Sequence, residues 1–415
     1  MTDSEKEIIV LSERFHPDTT SASGQYMTDI SIGLQKRGLD VTVLTRAING
    51  DGSESTREGI ENTNIDIKRV PISGVDRDHF IKRLYNWFTY LAIVLPLLLV
   101  SSSNKEREIV FVSYPTIMPP FVWAVCKLRG WDYMYIVHDY HPEAAIELGY
   151  IKRNGIIHRI WERVNQYLLI DATHIVALGP KMKDEIINSV DRKYERKFDP
   201  EKVSVIHNWA DGEFIEPKEK ENNWFSKEHG LVNKFSLVYS GNIGEFHDLE
   251  TVIRAVAKID QDDTHLMVIG EGDNKGNIIE LAKRTEVLGE KVSVLPYQPW
   301  EDVPYSITAG DVSIVAVNPE FKGLCVSSKL YSALASGQPV LVIADEHDDE
   351  SQIISRYNAG IQVSPGDPQA AIDAINQWKN NPELVREHGE NAREAFENHF
   401  TQENSIDKYY KLLSE

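Results

Sequence analysis

Cysteine is almost missing from this chain. Cys126 and Cys325 are the only two, far apart and set among apolar or small residues. They can build neither a disulfide framework nor a cysteine metal quartet, which suits a reducing cytoplasm. Basic residues are also scarce: 44 Lys and Arg stand against 64 Asp and Glu, for a net charge of −20. That balance argues against a nucleic-acid partner, since phosphate contacts need a basic surface. It also fits a high-salt cytoplasm. The sequence has no nucleophile-elbow serine, no P-loop, no helical HExxH and no cysteine–histidine pairing that would make a nucleophile. Its first residues, MTDSEKEIIVLS, lack a basic segment followed by an apolar one, so no signal peptide is expected. No short repeat or low-complexity tract occurs.

The remaining composition is that of an ordinary globular protein, 41% hydrophobic and 26% charged. A chain of 415 residues exceeds one compact core, so two domains are expected. The acid excess is uneven. Residues 1–215 carry −4 and residues 216–415 carry −16, while 151–200 are locally basic. Short apolar, β-branched runs at 8–11, 41–45, 109–112, 133–137, 174–178 and 203–206 read as buried parallel strands with helices between them. The polar stretch 218–234 interrupts the pattern. A second series follows at 236–240, 266–269, 292–295, 312–317, 340–344 and 360–363. Two successive doubly wound α/β halves are the economical reading. Residues 385–415 read as one or two helices with a break near His399.

Residues 84–104, LYNWFTYLAIVLPLLLVSSSN, carry no charge and are bracketed by Lys82-Arg83 and Lys105. Three readings stay open: a buried helix, an interfacial helix with Tyr85, Trp87 and Phe88 beside the basic pair, and a membrane span, which Pro96 and the polar end disfavour. Asp76-Arg77-Asp78 mimics a metal-binding acid pair but lies in a polar loop and reads as a solvated turn.

Chemistry concentrates at strand ends. Residues 318–344, NPEFKGLCVSSKLYSALASGQPVLVIA, join two strands through a short helix with Ser327 or Ser328 as its N-cap and Gly337 and Pro339 as its stop. Lys329 would fall in the first helical turn, where a cation opposes the helix dipole; an anion there would be held by free N–H groups and the lysine together. The alternative is a solvated lysine on an ordinary helix. The strand at 236–240 runs into Gly241-Asn242-Ile243-Gly244, followed by His247, and that at 266–269 into Gly270-Glu271-Gly272; either turn can bring backbone close to a ligand. Glu271 would hold a ribose or sugar hydroxyl, or be a solvated carboxylate in a tight turn. In the first half, Gly24 in the loop from Ser21 can present N–H groups. His138 and Asp139 close a strand, where the carboxylate can orient the imidazole toward a substrate hydroxyl. A metal set of His138, Asp139, His141 and Glu143 is a poor reading, because neighbours on an extended strand point to opposite faces.

In this order the pieces resemble the retaining glycosyltransferases of family 4, and the likeness covers almost the whole chain. FHPDTTSASGQYMTDISIGLQKRGLDVTVLT is similar to the family's opening strand, loop and helix. HDYHPEAAIELG and ALGPKM resemble acceptor-domain signatures, and VIHNWAD with Asn208 its interdomain segment. YSGNIGEFHDLETVIRA, VIGEGDNKG and SSKLYSALASGQPVL resemble donor-domain segments. Within the family the likeness is to the subgroup that builds surface polysaccharides and lipid-linked glycans, including N-acetylfucosamine-type transferases.

The resemblance implies a GT-B architecture, with two Rossmann-like domains facing a central cleft. Residues 1–215 would form the acceptor domain, with helix 396–415 packing back on it, and 216–395 the donor domain. It implies sugar transfer from a nucleotide sugar to a glycan or polyprenyl-linked acceptor, with no cofactor and no metal. The expected location is cytoplasmic or peripheral on the inner face of the plasma membrane, with contact through residues 82–105 and 151–163. On the family's pattern His138, Asp139 and Lys329 are catalytic. Gly24, Asn208, Gly241, Asn242, Gly244, His247, Glu271, Gly272, Gly323, Ser328 and Ser332 bind the donor. The chain departs from the pattern where many members carry an Arg and a Lys, at Asn242 and His247, and where many carry two glutamates, at Leu324 and Ser332; Glu320 is off register. These losses shift weight to Lys329. A nucleotide-sugar 2-epimerase and a non-catalytic scaffold share the architecture and remain as alternatives.

Overall fold

The computed structural model describes residues 6–16, 22–47, 63–71, 80–102, 105–190, 197–261 and 263–414. They fall into two units, 1–207 with 403–415, and 208–402. The acid pair at 76–78 and most of the basic run 192–197 lie outside the described residues.

The first unit runs β1 (Lys6–Leu11), α1 (Ala22–Lys36), β2 (Asp40–Arg46), β3 (Asp66–Val70), α2 (Phe80–Val100), β4 (Glu106–Val112), α3 (Met118–Arg129), β5 (Asp132–Val137), α4 (Glu143–Glu147), α5 (Ile156–Asp171), β6 (His174–Ala177), α6 (Pro180–Asn188) and β7 (Val203–Val205). Its described strands form one parallel sheet in the order β3-β2-β1-β4-β5-β6-β7. The register sets Ile8 to Leu11 opposite Val41 to Leu44 on one side and Glu108 to Phe111 on the other. The central strands are apolar because helices cover both faces, so Ile8, Val10, Val43, Ile109, Phe111 and Ile136 are buried. β3 escaped the sequence reading. Asp66, Lys68 and Arg69 make it a largely exposed edge strand with no apolar run to announce it.

The second unit holds α7 (Trp224–Glu228), β8 (Phe235–Ser240), α8 (Glu250–Lys258), β9 (Thr264–Ile269), α9 (Lys275–Arg284), β10 (Val292–Leu295), α10 (Val303–Ile307), β11 (Val312–Ala316), α11 (Lys329–Ala335), β12 (Val340–Ile343), α12 (Asp349–Tyr357), β13 (Gly360–Val363), α13 (Pro368–Lys379) and α14 (Pro382–His399). Its parallel sheet has the order β10-β9-β8-β11-β12-β13. A core of Leu237, Val268, Ile314, Leu341 and the fully buried Trp378 lies under α8 and α13.

The divide falls at His207/Asn208 rather than at 215/216, and for a packing reason. The Arg393 guanidinium on α14 donates to the Ile215 and Gly212 carbonyls, and the Phe396 ring occupies the place a side chain at Gly212 would need. Residues 208–215 are thereby held to the second unit. α15 (Gln402–Ser414) packs on the first unit from Glu403 onward. Asp407 accepts from the Arg37 guanidinium at 2.8 Å, the Ser405 hydroxyl donates to the His207 carbonyl, and Ile406 fills the space above Gly33.

Candidate active site

In a doubly wound sheet, ligands meet the carboxyl ends of the strands where the order reverses. In the second unit that point lies between β8 and β11. The loops after β8 and β9 are stacked on each other: Ile243 N–H donates to the Glu271 carbonyl and Asn274 N–H to the Ile243 carbonyl. Their glycines are required by this contact. A Cβ on Gly270 would sit 1.9 Å from the Gly241 oxygen, and one on Gly272 would sit 2.4 Å from the Ile243 oxygen. These two turns therefore serve loop packing rather than open approach to a ligand.

Gly241 is different. Its φ of +136° is open to glycine, and a Cβ there would meet Lys329 Cε at 2.6 Å. The lysine lies folded across the loop, its ammonium 5.3 Å from the centre of the Tyr239 ring and 3.0 Å from His247 Nε2. His247 Nδ1 faces the Ala316 carbonyl at 3.0 Å and must carry the hydrogen, which leaves Nε2 as an acceptor for the ammonium. Burial, with the lysine charge beside it, pushes the His247 pKa down to about 3, so the ring is neutral. Burial also lowers Lys329 to about 8. Among the described residues Lys329 has no carboxylate partner. The nearby acids are taken: Glu271 accepts from Lys275 at 2.7 Å and Asp345 from Lys322 at 2.5 Å.

Lys329 opens α11, a helix of only seven residues, so the dipole contributes less than the side chain. The expected serine cap is absent. Ser328 is at the cap position without a side-chain cap bond, because its backbone is already helical. Ser327 N–H instead donates to Glu350 at 2.6 Å. Glu350 stands in the first turn of α12, almost wholly buried, and burial raises its carboxyl to about 8. Its contact depends on the adjacency of β11 and β12, which no local spacing announces. Ser332, one turn on, lines a small cavity with Lys329, Ser240 and Ser313. Gly323 turns the preceding loop at φ +68°.

The structure thus gathers Gly241, His247, Lys329 and Ser332, with Tyr239 as an unforeseen member. Asn242 is exposed beside Gly244, its amide nitrogen 2.8 Å from where a Gly244 Cβ would stand. Glu271 is exposed and paired with Lys275, as the solvated-turn reading has it. Asn208 is buried beside Trp209 and has no bond to this group among those described.

In the first unit the order reverses between β1 and β4. The Ser113 hydroxyl, just after β4, accepts from the backbone N–H groups of both His138 and Asp139 at 3.0 Å. Burial lowers His138 to about 4 and raises Asp139 to about 6. No contact joins the two side chains, so the expected orientation of the imidazole by its neighbour is not found; residues adjacent in an extended segment diverge. The edge of the Tyr26 ring meets His138 instead. Gly24 lies in the first turn of α1, buried, its carbonyl accepting from Thr28, and not in a loop; Ser21 is outside the described residues. Arg14, after β1, donates to the Tyr114 hydroxyl at 3.2 Å, a pairing the switch-point rule alone would have suggested. Among the described residues no group of three or more His, Cys, Asp or Glu is placed to hold a metal.

Comparison with known proteins accounts for both units. Residues 21–209 match the glycosyl transferase 4-like domain, and residues 220–395 match glycosyl transferases group 1. The probable glycosyltransferase WbjE of Pseudomonas aeruginosa is 24% identical over 60% of each chain. The putative colanic acid biosynthesis glycosyl transferase WcaI of Escherichia coli K12 is 21% identical over 97% of this chain and 98% of its own. The structure of Anabaena Alr3699/HepE in complex with UDP superposes with a TM-score of 0.72, at 14% identity, over 99% of both chains. The two tandem domain matches, the full-length relative and the paired parallel sheets establish that the chain belongs to the glycosyltransferases of GT-B fold.

Proposed function

We propose that the chain moves a sugar, with retention of anomeric configuration, from a nucleoside-diphosphate sugar to a hydroxyl of a glycan or polyprenyl-linked acceptor in cell-surface glycan assembly. Lys329 is the observation that carries this reading. An ammonium partly withdrawn from water, held by a neutral imidazole and lacking a carboxylate partner among the described residues, is costly until an anion meets it. A donor diphosphate supplies that anion, and its charge grows as the glycosidic bond breaks, so the lysine stabilises the departing group. Lysine and backbone N–H groups carry the charge, and the reading includes no metal. The solved complexes of HepE with UDP and with UDP-glucose support a uridine nucleotide. WcaI's colanic acid title supports a polysaccharide product.

Gly241, Asn242, Gly244, Ser328 and Ser332 would line the donor. His138 would contact the transferred sugar or orient the acceptor, and Asp139, raised toward neutrality, would take part in proton handling at the acceptor hydroxyl. With no nucleophile at hand, attack from the leaving-group face within an ion-pair-like state fits retention. A polyprenyl-linked acceptor would place the reaction at the inner face of the plasma membrane, with residues 82–105 and 151–163 in contact. Incubation of the purified chain with a panel of nucleotide sugars tests the reading. Slow donor hydrolysis, or transfer to an added acceptor, is expected. Reversible isomerisation of the donor would make it an epimerase, and absence of nucleotide binding would make it a scaffold.

A further inference from the structure

The outer face of the first unit's helical layer is apolar where it should meet water. α2 is apolar all round. Trp87, Tyr90, Leu91, Val94 and Leu98 are buried and complete its inward side. The outward stripe then carries Phe88 at 55% exposure and Leu99 at 40%, and residues 84–102 contain no charge. A surface helix normally turns polar residues outward. The neighbouring helices repeat the pattern. α3 exposes Phe121 and Leu128, the latter at 77%, and α5 opens with Ile157 at 63% and Ile160 at 60%.

These helices form one surface. Right-handed crossovers from β3 to β4, β4 to β5 and β5 to β6 place α2, α3 and α5 on the same side of the sheet. α3 touches both of the others. Its Arg129 donates to the Leu99 and Ser101 carbonyls at the end of α2. Its Trp123 ring stacks on Tyr167 of α5 and donates to Asp171. Contiguous exposed apolar surface of this kind marks an interaction site.

We infer that this three-helix face is a lipid-docking surface that seats the first unit on an anionic bilayer. Charge complementarity selects the occupant. Arg159 and Arg163 on α5 are exposed, one turn apart, and have no carboxylate partner among the described residues, in a chain whose net charge is −20. An anionic headgroup layer satisfies them, whereas a second copy meeting the same face about a two-fold axis would bring the like-charged arginines together. No described helix is long and apolar enough to cross a membrane, so the face lies on the bilayer. The surface extends the contact beyond the two sequence segments to α3, and it rests on the lipid-linked acceptor reading only for its purpose.

Flotation with vesicles of phosphatidylcholine and phosphatidylglycerol tests it. The wild type rises with the vesicles. The variant Phe88→Ser, Leu128→Ser, Ile157→Ser loses at least about thirtyfold in partitioning, since each exposed side chain contributes on the order of 1 kcal/mol on burial. Arg159→Glu with Arg163→Glu loses about tenfold or more, and only on vesicles containing phosphatidylglycerol. All these substitutions are at exposed positions, so circular dichroism and nucleotide binding stay at wild-type levels; nucleotide binding also separates failure of this inference from failure of the donor reading. A wild type that stays with the aqueous fraction overturns the proposal. So does equal flotation of the triple variant, or a wild-type dimer that the triple variant turns into monomer without any vesicle binding.

Discussion

Replacing Lys329 by alanine removes the one cation at the β8/β11 switch point while leaving the core beneath it intact. If the ammonium meets a diphosphate, it makes a charge-assisted hydrogen bond in a partly buried place. Such a bond contributes about 1.5–3 kcal/mol, so UDP affinity at pH 7 should fall by roughly 10- to 150-fold. The pH dependence makes the test specific. The free protein holds Lys329 near 8, so below about pH 7 the group is already charged and wild-type affinity is flat. Above 8 it is neutral, binding must take up a proton, and the dissociation constant should rise by up to tenfold per pH unit until the raised pKa of the complex is reached. His247 is neutral throughout, its pKa being near 3, and adds no slope. Isothermal titration calorimetry with UDP from pH 6.5 to 9.5 measures both effects, and the Lys329→Ala profile should be flat in that upper range. An alanine variant that binds as tightly as the wild type, or a wild-type profile without a rise above pH 8, would refute the reasoning.

Three further outcomes follow from the same geometry. Gly241→Ala should cost about 1–3 kcal/mol of stability and weaken UDP binding, because the added methyl strikes Lys329 Cε and the backbone is at φ +136°; denaturation and calorimetry report the two effects. Glu350 titrates near 8 in the folded protein, above its ordinary range, so the stability that neutral burial confers is full below about pH 4.5 and lost as pH rises through 8. Glu350→Gln should therefore flatten that fall, which has a limiting slope of about 1.4 kcal/mol per pH unit, and melt higher than wild type at pH 8. Ser113→Ala removes the acceptor shared by the His138 and Asp139 N–H groups and should destabilise the first unit by about 1–3 kcal/mol, measured in urea.

Much of the fold was legible because parallel strands covered on both faces are written as short apolar runs. Ile8 to Leu11, Ile109 to Val112 and Val340 to Ile343 declare themselves, and each becomes a central strand. β3 did not, since an edge strand with Asp66, Lys68 and Arg69 looks like loop. The unit boundary was displaced because the Arg393 contacts that hold residues 208–215 join positions far apart in sequence. At the site, Lys329 stood out as a cation opposing a helix dipole, although the helix proved too short for that dipole to matter much. The imidazole that orients it and the ring beneath it were invisible as partners. His247 and Tyr239 are 82 and 90 positions away, brought near by the adjacency of β8 and β11. Ser113 and Glu350 were missed for the same reason: each acts through backbone N–H groups on a neighbouring strand end, a relation that sheet order creates and composition does not.

The most direct measurement is the pKa of Lys329 itself, followed by carbon-13 NMR after reductive methylation, in the free protein and with saturating UDP, with Lys329→Ala identifying the signal. The account predicts a titration near 8 that moves up by at least about one unit when the nucleotide binds. A Lys329 signal that titrates at the ordinary lysine value, or one that UDP leaves unmoved, would contradict it.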